Sequence, residues 1–402
     1  MAQDMTIEQC YTLANSVMQQ ATGRSDLIAT DTSSFVSCAQ TALKTGYDPI
    51  INAISQVLSR TIFSIRPYSA KFKGIKKSPI QYGNHIRKIS IADYDFREDD
   101  KFTYPVAYDS TQTDPTGNGQ SVDMYEIKKP DILQTNFYGK RVFSDSVTVF
   151  QDQLDVAFEN ASQFGQFMSM VMTNMSDKHE QAIESLSRVV IANFMASLID
   201  ENNDDRVIHL LTEYNTATGL SLTPTSVYQP TNFKAFMQWA FARIAQISSL
   251  MEERSIKFQT VVNSKNVMRH TPKSRQKVYM YAPSQYQISS MVMANTFNEQ
   301  FLRQVDHEVV NYWQSIDTPD SINILPSYIG ADGSVVTAES AIEQGNIFGI
   351  IFDDEALGFC EDKYRTLPTP LNARGGYTNL WMHSLLHCYN DITEKGVVLL
   401  LD

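Results

Sequence analysis

The longest regular pattern in the chain is an apolar stripe with helical spacing between about Gln163 and Ile199. Its apolar residues recur every three or four positions, which places them on one face of a helix. About 37 residues at 1.5 Å each would give a rod of roughly 55 Å, longer than an ordinary compact domain is wide. The pattern therefore predicts one long helix, here called the spine helix, in an elongated, flattened molecule. The stripe consists of Phe164, Phe167, Met168, Val171, Met175, Ala182, Ile183, Leu186, Val190, Phe194 and Leu198.

Shorter helical patterns lie on both sides of the spine helix. Residues 1–60 contain three of them, one that Thr6 can cap, one from Ser33 to Lys44 and one from Pro49 to Leu58. These patterns carry few charges and are separated by turns, so we interpret 1–60 as an arm that packs on other structure. Further helices are predicted from Val147 to Phe158, over 231–251 and over 285–294.

Between 61 and 145 the apolar period falls towards two, which is the period of a strand. Residues 87–92 alternate as a half-buried strand does, and a second extended stretch contains Ile132, Leu133 and Phe137. The turn-rich sequence 114–119 lies between them and ends in Asn-Gly. We expect a long two-stranded hairpin. Because such a hairpin is marginally stable alone in water, it needs a neighbour to lie on.

The second half of the chain is rich in strand patterns. A strand is predicted over 277–282, and 301–310 fits a helix or a helix–strand unit. The turn sequence 331–333 predicts a hairpin between Ile322–Leu325 and Val335–Val336. The chain then returns in three strands. They are a buried one over 347–352, an alternating one around 380–389 and a last one over 397–401.

Composition excludes several classes of protein. The chain has 402 residues, a net charge of −12 and 43% apolar residues, which is enough to bury a sizeable core and rules out a disordered or collagen-like chain. Its four scattered cysteines argue against a disulfide framework or a cysteine–zinc site and fit a reducing compartment at assembly. No uninterrupted apolar run reaches the roughly 20 residues of a membrane helix, so we expect no membrane partner. The N-terminus lacks the pattern of a signal peptide.

The charge pattern of the predicted hairpin is the most informative feature for function. Residues 66–92 contain seven bases and no acid, whereas 93–100 contain five acids and one base. Opposite blocks on one extended segment allow head-to-tail docking on a second copy, although two solvated faces or a phosphate site with interleaved Tyr68, Phe72 and Tyr82 remain alternatives. The candidate contact residues are Arg66, Lys71, Lys73, Lys76, Lys77, Arg87, Lys88, Asp93, Asp95, Glu98, Asp99 and Asp100.

No motif in the chain predicts an enzyme, a cofactor or a metal site. His383 and His387 have the spacing of a helical zinc pair, but the surrounding alternation favours a strand, on which they lie about 13 Å apart. The acidic run 200–205 resembles the start of a calcium loop but lacks its glycine and its closing glutamate, which favours a solvated turn. Arg374-Gly375-Gly376-Tyr377 is most simply a turn. We therefore predict no catalytic, cofactor-binding or metal-binding residues.

The order of these elements resembles the major capsid protein of tailed bacteriophages. The resemblance depends on 146–167, with Asn160-Ala161-Ser162-Gln163-Phe164-Gly165, on Val278–Gln285, and on 350–355, 372–377, Trp381 and 397–399. The resemblance covers most of 60–402 and consists of the order of elements, without a sharp motif. The capsid proteins that the chain resembles most are those of small short-tailed phages related to phi-twenty-nine. The resemblance implies an α+β fold of the Hong Kong 97 type.

The resemblance also implies a division of the chain into parts. An N-terminal arm would occupy 1–60 and an extended loop that overlies the adjacent subunit would occupy 61–145. A peripheral domain with the spine helix would cover 146–230, an axial domain 231–350, and strands that return to the peripheral domain 351–402. The pattern of residues itself indicates the changes near 60 and 145, whereas the roles of the parts and the axial-domain boundaries are implied only by the resemblance.

The function implied is assembly of the icosahedral shell of a phage head around packaged double-stranded DNA. Its partners would be other copies in pentamers and hexamers, together with scaffolding, portal and head-fibre or decoration proteins. The chain would be assembled in the host cytoplasm and reside in the virion. Two alternatives remain, an encapsulin-like nanocompartment shell of the same fold and a hydrolase with an unrecognised site.

Overall fold

The computed structural model describes residues 7–44, 46, 48–50, 52–53, 69–78, 85–92, 125, 129–152, 161–283, 286 and 307–402. The helices are α1 (Ile7–Thr22), α2 (Thr32–Leu43), α3 (Ala161–Asp200), α4 (Leu210–Thr218), α5 (Pro224–Val227) and α6 (Pro230–Glu252). The strands are β1 (Ile86–Ile91), β2 (Ile132–Phe137), β3 (Lys140–Phe150), β4 (Val207–His209), β5 (Gln276–Tyr281), β6 (Glu308–Val310), β7 (Ile322–Ile324), β8 (Ser327–Ile329), β9 (Val335–Thr337), β10 (Ile342–Gln344), β11 (Ile347–Asp353), β12 (Leu357–Pro368), β13 (Tyr377–Asn390) and β14 (Gly396–Leu400).

A five-stranded sheet, here called the central sheet, has the order β4-β14-β11-β5-β6. Every residue of β11 and β14 is buried, because helices cover both faces of this sheet. Val398 and Leu400 pack with Phe194 of α3, whereas Val397 and Leu399 pack in the other core with α6. The alternation of side chains along β14 thus supplies both cores. The sheet contains strands from the predicted ranges 146–230, 231–350 and 351–402.

The spine helix is confirmed as α3, whose 40 residues extend over about 60 Å. Its C-terminal half packs on the central sheet, and Val171 and Met175 in its N-terminal half pack with Met382 of a second sheet. Its segment Thr173–Asp200 is long and apolar enough to cross a membrane by length and composition. However, 72% of its most apolar window is buried inside the protein, as expected of a core helix.

The second sheet, here called the long sheet, has the order β12-β13-β3 and is antiparallel throughout. One of its faces carries α3, and the N-terminal helices α1 and α2 share a core with Val149 and Leu380 at its end. Gly165 of α3 permits the close approach of α1, since a Cβ there would lie 2.3 Å from Cys10 Sγ. The described part of the predicted arm therefore packs on its own chain.

The structure corrects two predictions and adds elements that were missed. The predicted helix over Val147–Phe158 is wrong from Val147 to Phe150, because all eleven residues of β3 pair with β13. The turn at 331–333 does form a hairpin, but β9 pairs with β8, and β7 pairs instead with β10. Sequence reasoning missed the twelve-residue strand β12 and the shorter elements β4, β8, β10, α4 and α5.

Other predicted elements agree with the structure where it describes them. Helices α1, α2 and α6 and strands β5, β11, β13 and β14 lie within a few residues of the predicted positions. The predicted hairpin is present as two antiparallel strands, β1 and β2, here called the ribbon. The turn 114–119, most of the predicted helices over 49–58 and 285–294, and residues 301–306 lie outside the described residues.

Candidate assembly interface

The twelve predicted charged contact residues fall into three groups. Arg66 and the acids Asp93, Asp95, Glu98, Asp99 and Asp100 lie outside the described residues. The lysines of 69–78 lie on a segment that crosses the body of the subunit, here called the strap. Arg87 and Lys88 lie on β1 of the ribbon. The basic block that is continuous in sequence is thus divided between two structural settings.

The strap is fixed to its own subunit by apolar and charged contacts. Phe72 and Ile75 are buried in the core between α3 and the central sheet. The Ala70 amide donates to Glu180 of α3 (3.0 Å), and Lys73 lies 3.3 Å from the same carboxylate. The strap is therefore part of the body, although it lies within the range predicted for the extended loop.

Two further lysines of the strap pair with acids of the same chain. Lys76 Nζ lies 3.2 Å from Glu361 Oε2, and Lys77 Nζ lies 2.8 Å from Asp354 Oδ2. The hydrogen bond from His179 lowers the pKa of Glu361 to about 2, with a further contribution from Lys76 and against the opposing effect of burial. An ionised Glu361 thus joins the strap, β12 and α3, while Lys71 is exposed and pairs with no other described residue.

The inner face of the ribbon is anchored to its own subunit by Lys88. Lys88 Nζ lies 2.6 Å from Asp391 Oδ2 and also contacts Glu394, whose Oε1 atom pairs with Arg269 as well. The side chains of Asp391 and Glu394 are only 3% and 5% exposed, so these are nearly dry ion pairs. Removing one partner from such a pair costs more than removing a surface charge.

The two buried carboxyl groups respond differently to this environment. Burial by itself would raise the pKa of Asp391, but the charge and hydrogen bond of Lys88 outweigh it and the pKa is lowered. For Glu394 burial dominates over Lys88 and Arg269, and the pKa is raised. Asp391 therefore depends on Lys88 to remain ionised inside the protein.

The outer face of the ribbon is exposed and carries three isoleucines beside the polar Arg87 and Gln134. Ile89, Ile91 and Ile132 are 62%, 58% and 69% exposed. Register places Ile91 opposite Ile132 and Ile89 opposite Gln134, so the three isoleucines share one face. Exposed apolar patches of this kind mark interaction sites. Sequence reasoning selected the charges of this segment and missed these isoleucines, although the alternation of 86–91 contained the signal.

One arrangement looks superficially like a catalytic triad but has the wrong geometry. His179 Nε2 lies 3.0 Å from Ser384 Oγ and 2.9 Å from Glu361 Oε1. A relay needs the two partners on different ring nitrogens, whereas here both contact the same one. Ser384 is also only 1% exposed, so a substrate has no access to it. The cluster connects α3 to the long sheet and is structural.

The other candidate sites from the sequence are also structural. His383 and His387 lie on β13, which confirms the strand expected there. In the run 200–205, Asp200 accepts from Tyr328 (2.9 Å), Glu201 pairs with Arg206 (2.6 Å) and Asp205 pairs with Lys257 (3.2 Å). Among the described residues no group of three or more His, Cys, Asp or Glu side chains has the geometry to hold a metal ion.

Comparison with known proteins agrees with this architecture. The family model of the Phi29-like phage major capsid protein matches residues 13–399. A chain in the capsid structure of Staphylococcus phage Andhra is similar, with a TM-score of 0.51 and 12% identity over 85% of this chain and 87% of that one. A chain in the structure of the head fiber and inner core protein gp22 of native bacteriophage P68 has a TM-score of 0.52 and 10% identity over the same fractions. No curated protein matches the chain.

Proposed function

Because the chain belongs to the Phi29-like phage major capsid protein family, we propose that its copies associate as pentamers and hexamers around packaged double-stranded DNA. The chain is a non-enzymatic capsid shell protein of the virion with the Hong Kong 97-type fold, which confirms the predicted fold class and function. The comparisons give no support to the nanocompartment or hydrolase alternative. Assembly in the host cytoplasm and contacts with scaffolding, portal, head-fibre or decoration proteins belong to the proposal.

The observation that carries the proposal is the two-sided ribbon. Its inner face is held by buried ion pairs of its own subunit, and its outer face exposes three isoleucines. An exposed apolar face of this type is typical of a surface that another chain covers. In a shell built from identical copies the covering chain is an adjacent subunit. We therefore assign the main contact of the 61–145 loop to Ile89, Ile91 and Ile132.

The predicted charged contacts keep a secondary role in this proposal. Lys73, Lys76, Lys77 and Lys88 have partners in their own subunit, so reversing their charges would disturb the fold as well as assembly. Arg87 is exposed on the outer face and forms no ion pair with another described residue. Arg87→Glu therefore tests the charged contact without this complication. Rim charges mainly affect the rate and register of docking.

The division of the chain into arm, extended loop, peripheral domain and axial domain is part of the same proposal. The supporting features are the position of the ribbon before α3 and the insertion of α6 and β5 between α3 and the returning strands. A cryo-electron microscopy map of the shell would test each boundary. It would contradict the proposal if the ribbon contacted only its own subunit.

The direct test is assembly of a variant with Ile89, Ile91 and Ile132 all changed to Ser. We expect shells to be absent by electron microscopy and the thermal midpoint of the subunit to change little, because the replaced side chains are exposed. The control changes Ile316 and Val335 to Ser, which are both 74% exposed on the body. The control should assemble normally. Normal shells from the triple variant would refute the assignment of the contact to this face.

A further inference from the structure

The long sheet ends in two edge strands, β3 and β12, and their free edges differ. Backbone hydrogen bonds define which groups of β3 face its partner β13. Gly139 O accepts from Cys388 N (2.9 Å) and Gln151 N donates to Gly376 O (2.9 Å). Since both groups of one residue point to the same side of a strand, odd-numbered residues face β13. Even-numbered residues of β3 therefore point their N–H and C=O groups outward.

Most of the outward backbone groups of β3 have no partner among the described residues. They belong to six residues, Lys140, Val142, Ser144, Ser146, Thr148 and Phe150, of which all but the half-buried Ser146 are exposed. From Val142 onward, within the described part of the chain, only the Ser146 amide has a partner on this side, the Asp145 carboxylate at 2.9 Å. No proline and no bulge interrupts the strand, and after Lys140 at its start none of the outward residues is charged. From Val142 to Phe150 the outward side of the strand thus lacks the usual protections of an edge, and Lys140 protects only its start.

The free edge of β12 has three protections in its twelve residues. Lys77 N donates to Phe359 O (2.8 Å), so the strap covers the first part of the edge. The register then shifts between Glu361 and Lys363, which interrupts the ladder. Thr369 N donates to Asn379 O (2.8 Å), and this places the preceding Pro368 outward, where it has no N–H to offer. The two edges of the long sheet therefore differ, because β12 is protected along its length and most of β3 is not.

We propose that the free edge of β3 is a strand-addition site for an extended segment of a second copy of this chain. The added strand would pair with the outward groups of Val142, Ser144, Thr148 and Phe150. The inference rests on the proposed shell function, because the occupant is an adjacent subunit. The edge from Val142 to Phe150 is nine residues long, roughly 30 Å at 3.3 Å each, and needs an extended partner of similar length.

The apolar surface beside this edge favours a copy of the same chain as the occupant. Directly opposite residues of neighbouring strands share a face, so Val142 and Phe150 lie on the face of Trp381 and Leu367. These four side chains are 61%, 43%, 38% and 46% exposed. The family is one of shell proteins that contact their own copies. An added strand would form hydrogen bonds with the outward N–H and C=O groups of β3. Its side chains would also cover part of this exposed apolar face.

Hydrogen exchange of backbone amides is the first test, because it needs no variant. The amides of Val142, Ser144 and Thr148 should exchange at least about tenfold more slowly in assembled shells than in free subunits. The amides of Phe143, Val147 and Val149 face β13 and should be protected in both states. Shells in which the outward amides exchange as fast as in free subunits would overturn the inference.

A proline variant tests the same edge by assembly. Ser144→Pro removes one outward N–H without removing a bond to β13, and Ser144→Ala is its matched control. We expect the yield of shells to fall at least about tenfold for the proline variant and to stay unchanged for the alanine variant. Normal assembly of a folded Ser144→Pro variant would contradict the inference. If this variant fails to fold by circular dichroism, the exchange result on the natural sequence decides.

A wrong strand-addition site and a wrong proposed function would give different experimental results. If the natural chain forms no shells under any assembly condition, the proposed function itself is wrong. If shells form but the outward amides of β3 remain unprotected, only the strand-addition site is wrong.

Discussion

The central sheet buries its apolar residues on both faces, whereas the ribbon leaves apolar residues exposed on one face. In the central sheet α3 and α6 cover both faces, and β11 and β14 are buried at every residue. In the ribbon one face is anchored by Lys88, and the other exposes three isoleucines. The first region completes its core within the subunit, and the second needs another copy. Changes in the central sheet should therefore alter folding, and changes on the outer face of the ribbon should alter assembly.

The largest loss of stability is expected in the central sheet. Phe352 of β11 is fully buried against Phe194 and Tyr279. Phe352→Ala should lower the free energy of unfolding by about 3–5 kcal/mol, since it removes a large buried ring and leaves a cavity. Denaturant unfolding of the subunit measures this effect. Ile89→Ala on the outer face is the comparison and should change the same quantity by about 0.5 kcal/mol or less.

The inner face of the ribbon should be nearly as sensitive as the central sheet. Lys88→Met leaves Asp391 buried without its cation, and we expect a loss of about 3 kcal/mol at neutral pH. The neighbouring change Arg87→Met is a matched control, because Arg87 is exposed and forms no ion pair with another described residue. Equal unfolding free energies for the two variants would show that Lys88 does not anchor the ribbon.

The ion pairs of Glu361 with Lys76 and His179 should make the stability of the subunit depend on pH. Its pKa in the folded protein is about 2, below the ordinary value of 4.5. A carboxyl group whose pKa is lower in the folded state stabilises that state at pH values above its ordinary pKa. This contribution is lost as the pH falls from about 5 to 2. Glu361→Gln should therefore reduce stability by roughly 3 kcal/mol at pH 7 and by little near pH 2. A difference between the two proteins that does not shrink on acidification would contradict the role of the ionised carboxylate.

The smallest effect is expected at the exposed end of the strap. Lys73 lies 3.3 Å from Glu180, but about half of its side chain is exposed. Lys73→Ala should cost at most about 0.5 kcal/mol, and the difference should decrease at high salt. Thermal unfolding at two salt concentrations would detect it. A loss comparable to that of Lys88→Met would mean that surface pairs, and not burial, hold the strap.

The sequence predicted the long helix well, but it missed several short elements and also the twelve-residue strand β12. The stripe from Phe164 to Leu198 defined α3, because one apolar face repeated over many turns has no competing explanation. Strands of three residues such as β4 and β8 carry too few positions to show a period. Val147–Phe150 was misassigned because pairing with β13 determines its conformation, and that partner lies more than 200 residues away.

The candidate site shows the same limit. The charge blocks of the hairpin segment are visible in sequence, but their partners are not. Lys88 meets Asp391 and Glu394, and Lys76 meets Glu361, across roughly 300 residues of chain. A charge that is satisfied inside its own subunit therefore looks the same in sequence as one left for a neighbour. Only the structure shows which of these charges are paired within the subunit. Only the structure shows, in the same way, that Ile89, Ile91 and Ile132 are exposed.

Hydroxyl-radical footprinting of free subunits and of assembled shells tests the central claim most directly. Ile89, Ile91 and Ile132 should react readily in the free subunit and be strongly protected in the shell. Phe352 should be unreactive in both states, because its burial is complete within one chain. If the three isoleucines remain as reactive in the shell as in the free subunit, the outer face of the ribbon is not the surface by which the copies cover one another.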